Sequence, residues 1–132
     1  MNQEIEIPCE ECGHCGGTAC IGQSFVSNQL RWYRSISCQD GRHIEEDDIG
    51  FPPKHVRQEL LKRGGRWKLI VSESNRVAAI IIVRRALGLS MEETAAAFRL
   101  FPTVYSGTKT EAKWLKVQMD ASNIASQMVL EA

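Results

Sequence analysis

The sequence predicts an α+β fold: a small β module built around a hairpin, one linking helix, and a β-α-α-β-α-β unit. Three observations carry this. Residues 1–50 are rich in Cys, Gly and Ser and hold no helical periodicity. Phe51-Pro52-Pro53 interrupts the chain sharply. After Gly65, two capping boxes and a series of short apolar runs alternate regularly. The predicted organisation is therefore a β module over 1–50, a linking helix over 51–65 and an α+β unit over 66–132.

In chain order, Ala19 to Val26 and Leu30 to Ile36 read as two strands, with Ser27-Asn28 as the turn region. In the second, Leu30, Trp32, Arg34 and Ile36 share one face; Arg31, Tyr33 and Ser35 take the other. Glu45 to Asp48 reads as an acidic loop. Pro53 suits the first turn of a helix, along which Val56, Leu60 and Leu61 recur, and Gly64-Gly65 ends it. Trp67 to Val71 is a strand. Ser74 is positioned to cap a helix from about Asn75 to Leu87, and Gly88 stops it. Ser90-Met91-Glu92-Glu93 opens a helix reaching about Leu100, where Pro102 ends it. Thr103 to Tyr105 is a short strand. Thr108-Lys109-Thr110-Glu111 opens the last helix, through about Ala121; Asn123 closes it, and Ala125 to Leu130 is the final strand.

At 132 residues the chain has room for one ordinary domain or two very small ones, too little for a barrel enzyme or a full dinucleotide-binding fold. Sixteen bases balance sixteen acids, so the net charge of zero argues against a general polyanion binder. The balance hides an asymmetry. Residues 1–50 hold nine acids and three bases, a difference of −6; residues 51–132 hold seven and thirteen, a difference of +6. Such halves either attract each other or give the surface two faces. Met1 to Ile7 lacks the basic start and apolar core of a signal peptide, and the longest apolar run, Val77 to Val83, is far below the roughly 20 residues that span a bilayer. The expected location is cytoplasmic, with no membrane partner. Cysteines there stay reduced, so an odd count of five points to metal ligands or buried thiols rather than disulfides.

The cysteines are Cys9, Cys12, Cys15, Cys20 and Cys38. Cys12-Gly13-His14-Cys15-Gly16-Gly17 has the form of a zinc knuckle, in which two thiolates three apart bind one tetrahedral ion. Twenty-two residues separate Cys15 from Cys38, with the predicted hairpin between them. That arrangement resembles a zinc ribbon. Its second knuckle would place a cysteine at 41, where this chain has Gly41. His43 is near enough to supply the fourth ligand; Cys9, itself paired in Cys9-x-x-Cys12, is the other candidate. The expected cofactor is a structural zinc on Cys12, Cys15, Cys38 and either His43 or Cys9. The alternative is a degenerate ribbon that folds without metal. An iron–sulfur run would need its fourth cysteine at 19 rather than 20.

A second resemblance covers about half the chain. The carrying segments are Trp67-Lys68-Leu69-Ile70-Val71, Asn75-Arg76-Val77-Ala78-Ala79-Ile80, Val83 to Glu93, and the helix and strand from Thr110 to Leu130. Their order resembles the C-terminal domain of the bacterial ribosomal stalk protein. The resemblance implies three helices on one face of a small three-stranded antiparallel sheet. It also implies a partner-binding face on the first helix, which in that family captures translational GTPases, and Arg76, Val77, Ile80 and Arg84 match its positions. The chain departs from the family pattern at Ile81, where the family has lysine, at Arg85, where it has glycine, and at Ala95, where it has lysine. Read from the residues alone, Val77 and Ile80 serve equally well as core, and Arg84 and Arg85 sit where a helix dipole favours cations.

Other chemistry is thin. Gly107-Thr108-Lys109-Thr110 lacks the preceding glycine of a phosphate loop, since position 102 is Pro. Cys38 with His43 or His55 could form a nucleophile pair, but a cysteine at knuckle spacing is more simply a ligand. Trp32 and Tyr33 beside Arg31 and Arg34 could stack single-stranded bases, or Trp32 could be core. The reading that follows is a non-enzymatic protein-binding module, of which an immunity-type protein neutralising a toxin is a concrete form. In that case Glu45, Glu46, Asp47 and Asp48 would meet a basic, nuclease-like partner. The alternative is a nucleic-acid- or ribosome-associated zinc-ribbon protein.

Overall fold

The structure is a computed structural model that describes residues 2–8, 17–39 and 41–131. The fold is α+β, with two small antiparallel sheets and four helices in two compact units, Met1–Gly64 and Gly65–Ala132.

The first unit is a meander of four strands in the order β1-β2-β3-β4: β1 (Asn2–Pro8), β2 (Thr18–Val26), β3 (Gln29–Ser37) and β4 (His43–Ile49). The helix α1 (Lys54–Gly64) follows. The predicted hairpin is β2-β3, closed at Ser27-Asn28 with Ser27 in the left-handed region. Strand alternation sorts the side chains. Register places Ile5, Ile21 and Arg34 in one row and Ala19, Ile36 and Ile44 in another, all on one face. Val56 and Leu60 of α1 pack with Ile21 and Ile5 on that face, which we call the covered face. Leu30 and Trp32 share it and are buried. The opposite, open face carries Glu4, Cys20, Tyr33, Ser35, Glu45 and Asp47.

The sheet corrects one sequence expectation. Glu45 to Asp48 is not a loop: it lies within β4, paired residue by residue with β3. Four consecutive acids lack the apolar alternation that marks a strand, so pairing rather than propensity forms this one. Arg34 opposite Glu46 makes an ion pair across the two strands.

The second unit runs β5 (Trp67–Val71), a 3₁₀ turn (Glu73–Asn75), α2 (Arg76–Leu87), α3 (Met91–Ala97), a 3₁₀ turn (Phe98–Leu100), β6 (Thr103–Gly107), α4 (Lys109–Ala121) and β7 (Ser126–Leu130). Its sheet order is β6-β5-β7. In β5, Leu69 and Val71 are buried and alternate with half-buried Lys68 and Ile70. The helix α4 lies against all three strands and against α2. It buries Ala112, Trp114, Leu115 and Met119.

Both capping boxes form as read. Ser90 Oγ accepts from the Glu93 amide while the Glu93 carboxylate accepts from the Ser90 amide. Thr108 and Glu111 do the same at the start of α4. Gly88 ends α2 in the left-handed region, and Asn123 turns the chain out of α4 in the same way. Ser74 is not a cap. A 3₁₀ turn closed by the Asn75 amide on the Ser72 carbonyl comes first, and the Ser74 hydroxyl bonds Ser72 instead. The helix therefore starts at Arg76, behind Asn75 with no side-chain cap bond.

Candidate functional site

The helix α2 buries Ala79, Ile82 and Val83. At 3.6 residues per turn, burying those positions turns Val77, Ile81 and Arg84 outward. Val77 is 72% and Ile81 57% exposed, high values for β-branched aliphatic side chains one turn apart. Arg76, Arg84 and Arg85 surround them, all exposed. Arg76 is steadied at the start of the helix by Glu73 at 3.8 Å and by the face of Phe101, 5.1 Å from its guanidinium carbon. Arg84 donates through Nε to the Leu89 carbonyl at 3.3 Å. Of the sequence-predicted contact residues, Arg76, Val77 and Arg84 therefore reach solvent, and Ile80 is half-buried on the flank of the helix.

Ile81 lies on this exposed face although it is not among the expected contact residues. The signal was present in the helical spacing, since Ile81 lies one turn beyond Val77. Elsewhere on this unit, between α2 and α3, runs an apolar groove of about 470 Å³ over β6. Leu87, Leu89, Ala96, Ala97 and Leu100 line it.

The four acids proposed to meet a basic partner do not form one patch. Alternation along β4 sends Glu45 and Asp47 to the open face and Glu46 and Asp48 to the other. Glu46 is held by Arg34, and Asp48 accepts from the Ile49 amide at 2.7 Å. Glu45 lies 3.2 Å from His43 Nε2.

Trp32 is 9% exposed on the covered face, so it is not a stacking platform. Tyr33 lies on the open face across Gly22, where a Cβ would overlap its ring, and its hydroxyl donates to Glu4. Burial, then that hydrogen bond and the Glu4 charge, push the Tyr33 hydroxyl above its ordinary 10.0. Glu93 is held below the ordinary carboxyl value by its bonds from the Ser90 backbone and side chain.

Among the candidate metal ligands, Cys9, Cys12 and Cys15 lie outside the described residues. Cys38 and His43 are placed. Cys38 is 7% exposed and packs with Ala19, Ile36 and Ile44. It opens a tight turn: its amide donates to the Arg42 carbonyl at 2.9 Å, and its carbonyl accepts from the Gly41 amide at 3.1 Å. Gly41 sits at φ +90°, a backbone that a cysteine there would adopt only with strain. His43 Nδ1 lies 3.2 Å from Ser37 Oγ. Register brings Pro8, Thr18, Ser37 and His43 into one row. Gly17 lies so close to this turn that a Cβ there would overlap the Ser37 carbonyl oxygen. Among the described residues, no three His, Cys, Asp or Glu side chains converge as a metal site, and no helix is long and apolar enough to cross a membrane. No protein-family model matches the chain, and comparison with curated proteins and with solved structures returns no match.

Proposed function

We propose that the chain is a non-enzymatic protein-binding module whose contact surface is the outer face of α2. The observation that carries this reading is the exposure of Val77 and Ile81 beside Arg76, Arg84 and Arg85. Two aliphatic side chains one turn apart, framed by arginines, match the composition of a protein-binding patch, an apolar centre with a charged rim. An immunity-type role is one form of this reading. Its acidic-patch version loses support, because β4 divides the four acids between two faces. The nucleic-acid reading also loses support. Trp32 is buried, the Tyr33 hydroxyl is tied to Glu4, and the open face presents Glu4, Glu45 and Asp47, which repel phosphates.

The same proposal includes a structural zinc in the first unit. Its support is the knuckle spacing of Cys12 and Cys15 and the tight turn that Cys38 opens between β3 and β4. When bound, zinc would cross-link the chain between β1 and β2 to the chain between β3 and β4.

The test is native mass spectrometry of the protein isolated from its own source, beside Val77→Asp and Ile81→Asp variants expressed in the same way. We expect a protein adduct on the wild type that both variants lose. Both should keep wild-type stability to within about 0.5 kcal/mol, because the positions are exposed. An RNA adduct, or a protein adduct untouched by either substitution, would sink the reading.

A further inference from the structure

We infer that β7 is an interface through which two copies of this chain pair, antiparallel, about a two-fold axis at Met128. The second sheet runs β6-β5-β7, so β7 is an edge strand, bonded to β5 on one side only. In an antiparallel ladder, directly bonded pairs alternate with pairs whose amides and carbonyls turn the other way. The Glu131 amide donates to the Arg66 carbonyl at 2.9 Å, and that pair continues the β5-β7 register. Lys68 with Val129 and Ile70 with Gln127 are therefore the other bonded pairs. The far side of β5 has the same phase, since the Val71 amide donates at 3.1 Å to the Pro102 carbonyl, next to β6. Ser126, Met128 and Leu130 then direct their N–H and C=O groups outward from the sheet edge. Among the described residues, no hydrogen bond occupies those outward groups.

Those three residues are symmetric about Met128. A second copy laid antiparallel sets Met128 opposite Met128, with Ser126 opposite Leu130 on either side, an arrangement in which the same patch serves both copies. Each of these is then a bonded pair that exchanges both N–H···O=C bonds, so the strand fits itself with no outward donor or acceptor left over. No charge opposes the pairing, because Ser126-Gln127-Met128-Val129-Leu130 holds no acid or base. The next residue, Glu131, lies 4.0 Å from both Arg66 and Lys68. The other sheet edges are blunted in ways that discourage such pairing. β1 carries Glu4 and Glu6, and β4 carries four consecutive acids. The β6 edge is interrupted by a register shift opposite Leu69 and Ile70. Leu130, 51% exposed at the end of β7, gains cover across the axis. Helix α2 packs on α4 and β6, and β6 is the opposite edge of the sheet, so pairing through β7 leaves both α2 faces open. A partner with two sites would then bind the pair with added avidity.

One short edge buries little area, so the dimer is a weak one that forms as concentration rises. The experiment follows the reduced full chain by sedimentation equilibrium from about 10 µM to about 1 mM, with amide hydrogen exchange read by NMR at both ends of that range. We expect a monomer at the low end and a dimer at the high end. Exchange at the Ser126, Met128 and Leu130 amides should slow about fivefold or more in the dimer, while Gln127, Val129 and Glu131 are slow at both concentrations. Leu130→Pro is the variant. Its position is exposed and its N–H faces out, so the bonds to β5 survive while two bonds between the copies are lost. It should stay monomeric throughout. A wild-type chain that is monomeric at the top of the range, a dimer whose outward amides exchange unchanged, or a Leu130→Pro that pairs as the wild type does each overturns the inference. A chain of different sequence protecting the same amides overturns it too, in favour of strand addition by a partner. The wild-type exchange pattern decides the matter without any substitution, should Leu130→Pro not fold. The reading of the α2 face is independent of all these outcomes.

Discussion

Ser90 and Thr108 head the same motif in the same unit, and the structure predicts unequal costs for removing their hydroxyls. At Ser90 the bond from the Glu93 amide is 3.1 Å and exposed. Ser90→Ala hands that amide to water and costs the ordinary value of a lost cap, about 1 kcal/mol. At Thr108 the bond from the Glu111 amide is also 3.1 Å, but both residues are fully buried. Thr108→Val keeps the side chain's shape and removes only the hydroxyl. It loses the same cap and also seals the Glu111 amide away from water, which adds about 1–3 kcal/mol. The expected total is about 2–4 kcal/mol. The assay is urea unfolding of the full chain, with hydrogen exchange of amides in residues 65–132 to assign the loss to that unit. Costs within about 0.5 kcal/mol of each other would refute the reasoning. They would mean that water reaches the Thr108 cap and that burial does not set its worth.

Three further outcomes follow from the same geometry. The Glu93 carboxyl should titrate below its ordinary 4.5, and Ser90→Ala should return it toward that value. Because folding lowers this pKa, the box contributes fully above 4.5 and fades as pH falls through the folded value; identical titrations of Glu93 in both proteins by NMR would contradict this. Tyr33 should ionise above 10.0, and Gly22→Ala, which displaces its ring, should bring that titration back toward 10.0 in an alkaline absorbance scan. Folding raises this pKa, so its contribution is present below 10.0 and is lost as pH climbs through the folded value. Leu115, fully buried in α4, should cost about 2–5 kcal/mol as Leu115→Ala, while Val77→Ala on the open side of α2 stays within about 0.5 kcal/mol; equal melting losses would show that α2 is not turned as described.

What could be read along the chain was chemistry that acts within a few residues. Trp67–Val71 is the predicted strand to the residue. The two capping boxes need only a hydroxyl and a carboxylate three apart, and both formed. Gly88 and Asn123 turn left-handed where the helices were expected to stop. The hairpin was legible because its apolar residues alternate, and its face assignment holds along β3. Ser74 failed as a cap because a competing turn from Ser72 uses the same stretch.

The remaining features depend on residues far apart in sequence. Nothing local makes Glu45–Asp48 a strand; the edge of β3 and Arg34 do, and that pairing divides one acidic run between two faces. Cys38 and His43 stand five apart and look like neighbours in sequence, yet the sheet directs them to opposite sides. Val77 could have been core or contact. Packing against Ala79, Ile82 and Val83 decided which way the helix is turned, and so left Val77 and Ile81 outside. Hydrogen bonds and steric limits within one turn act over a few ångströms and are written in neighbouring residues. Register and helix rotation minimise exposed apolar area over the whole unit, so they are settled only when distant segments meet.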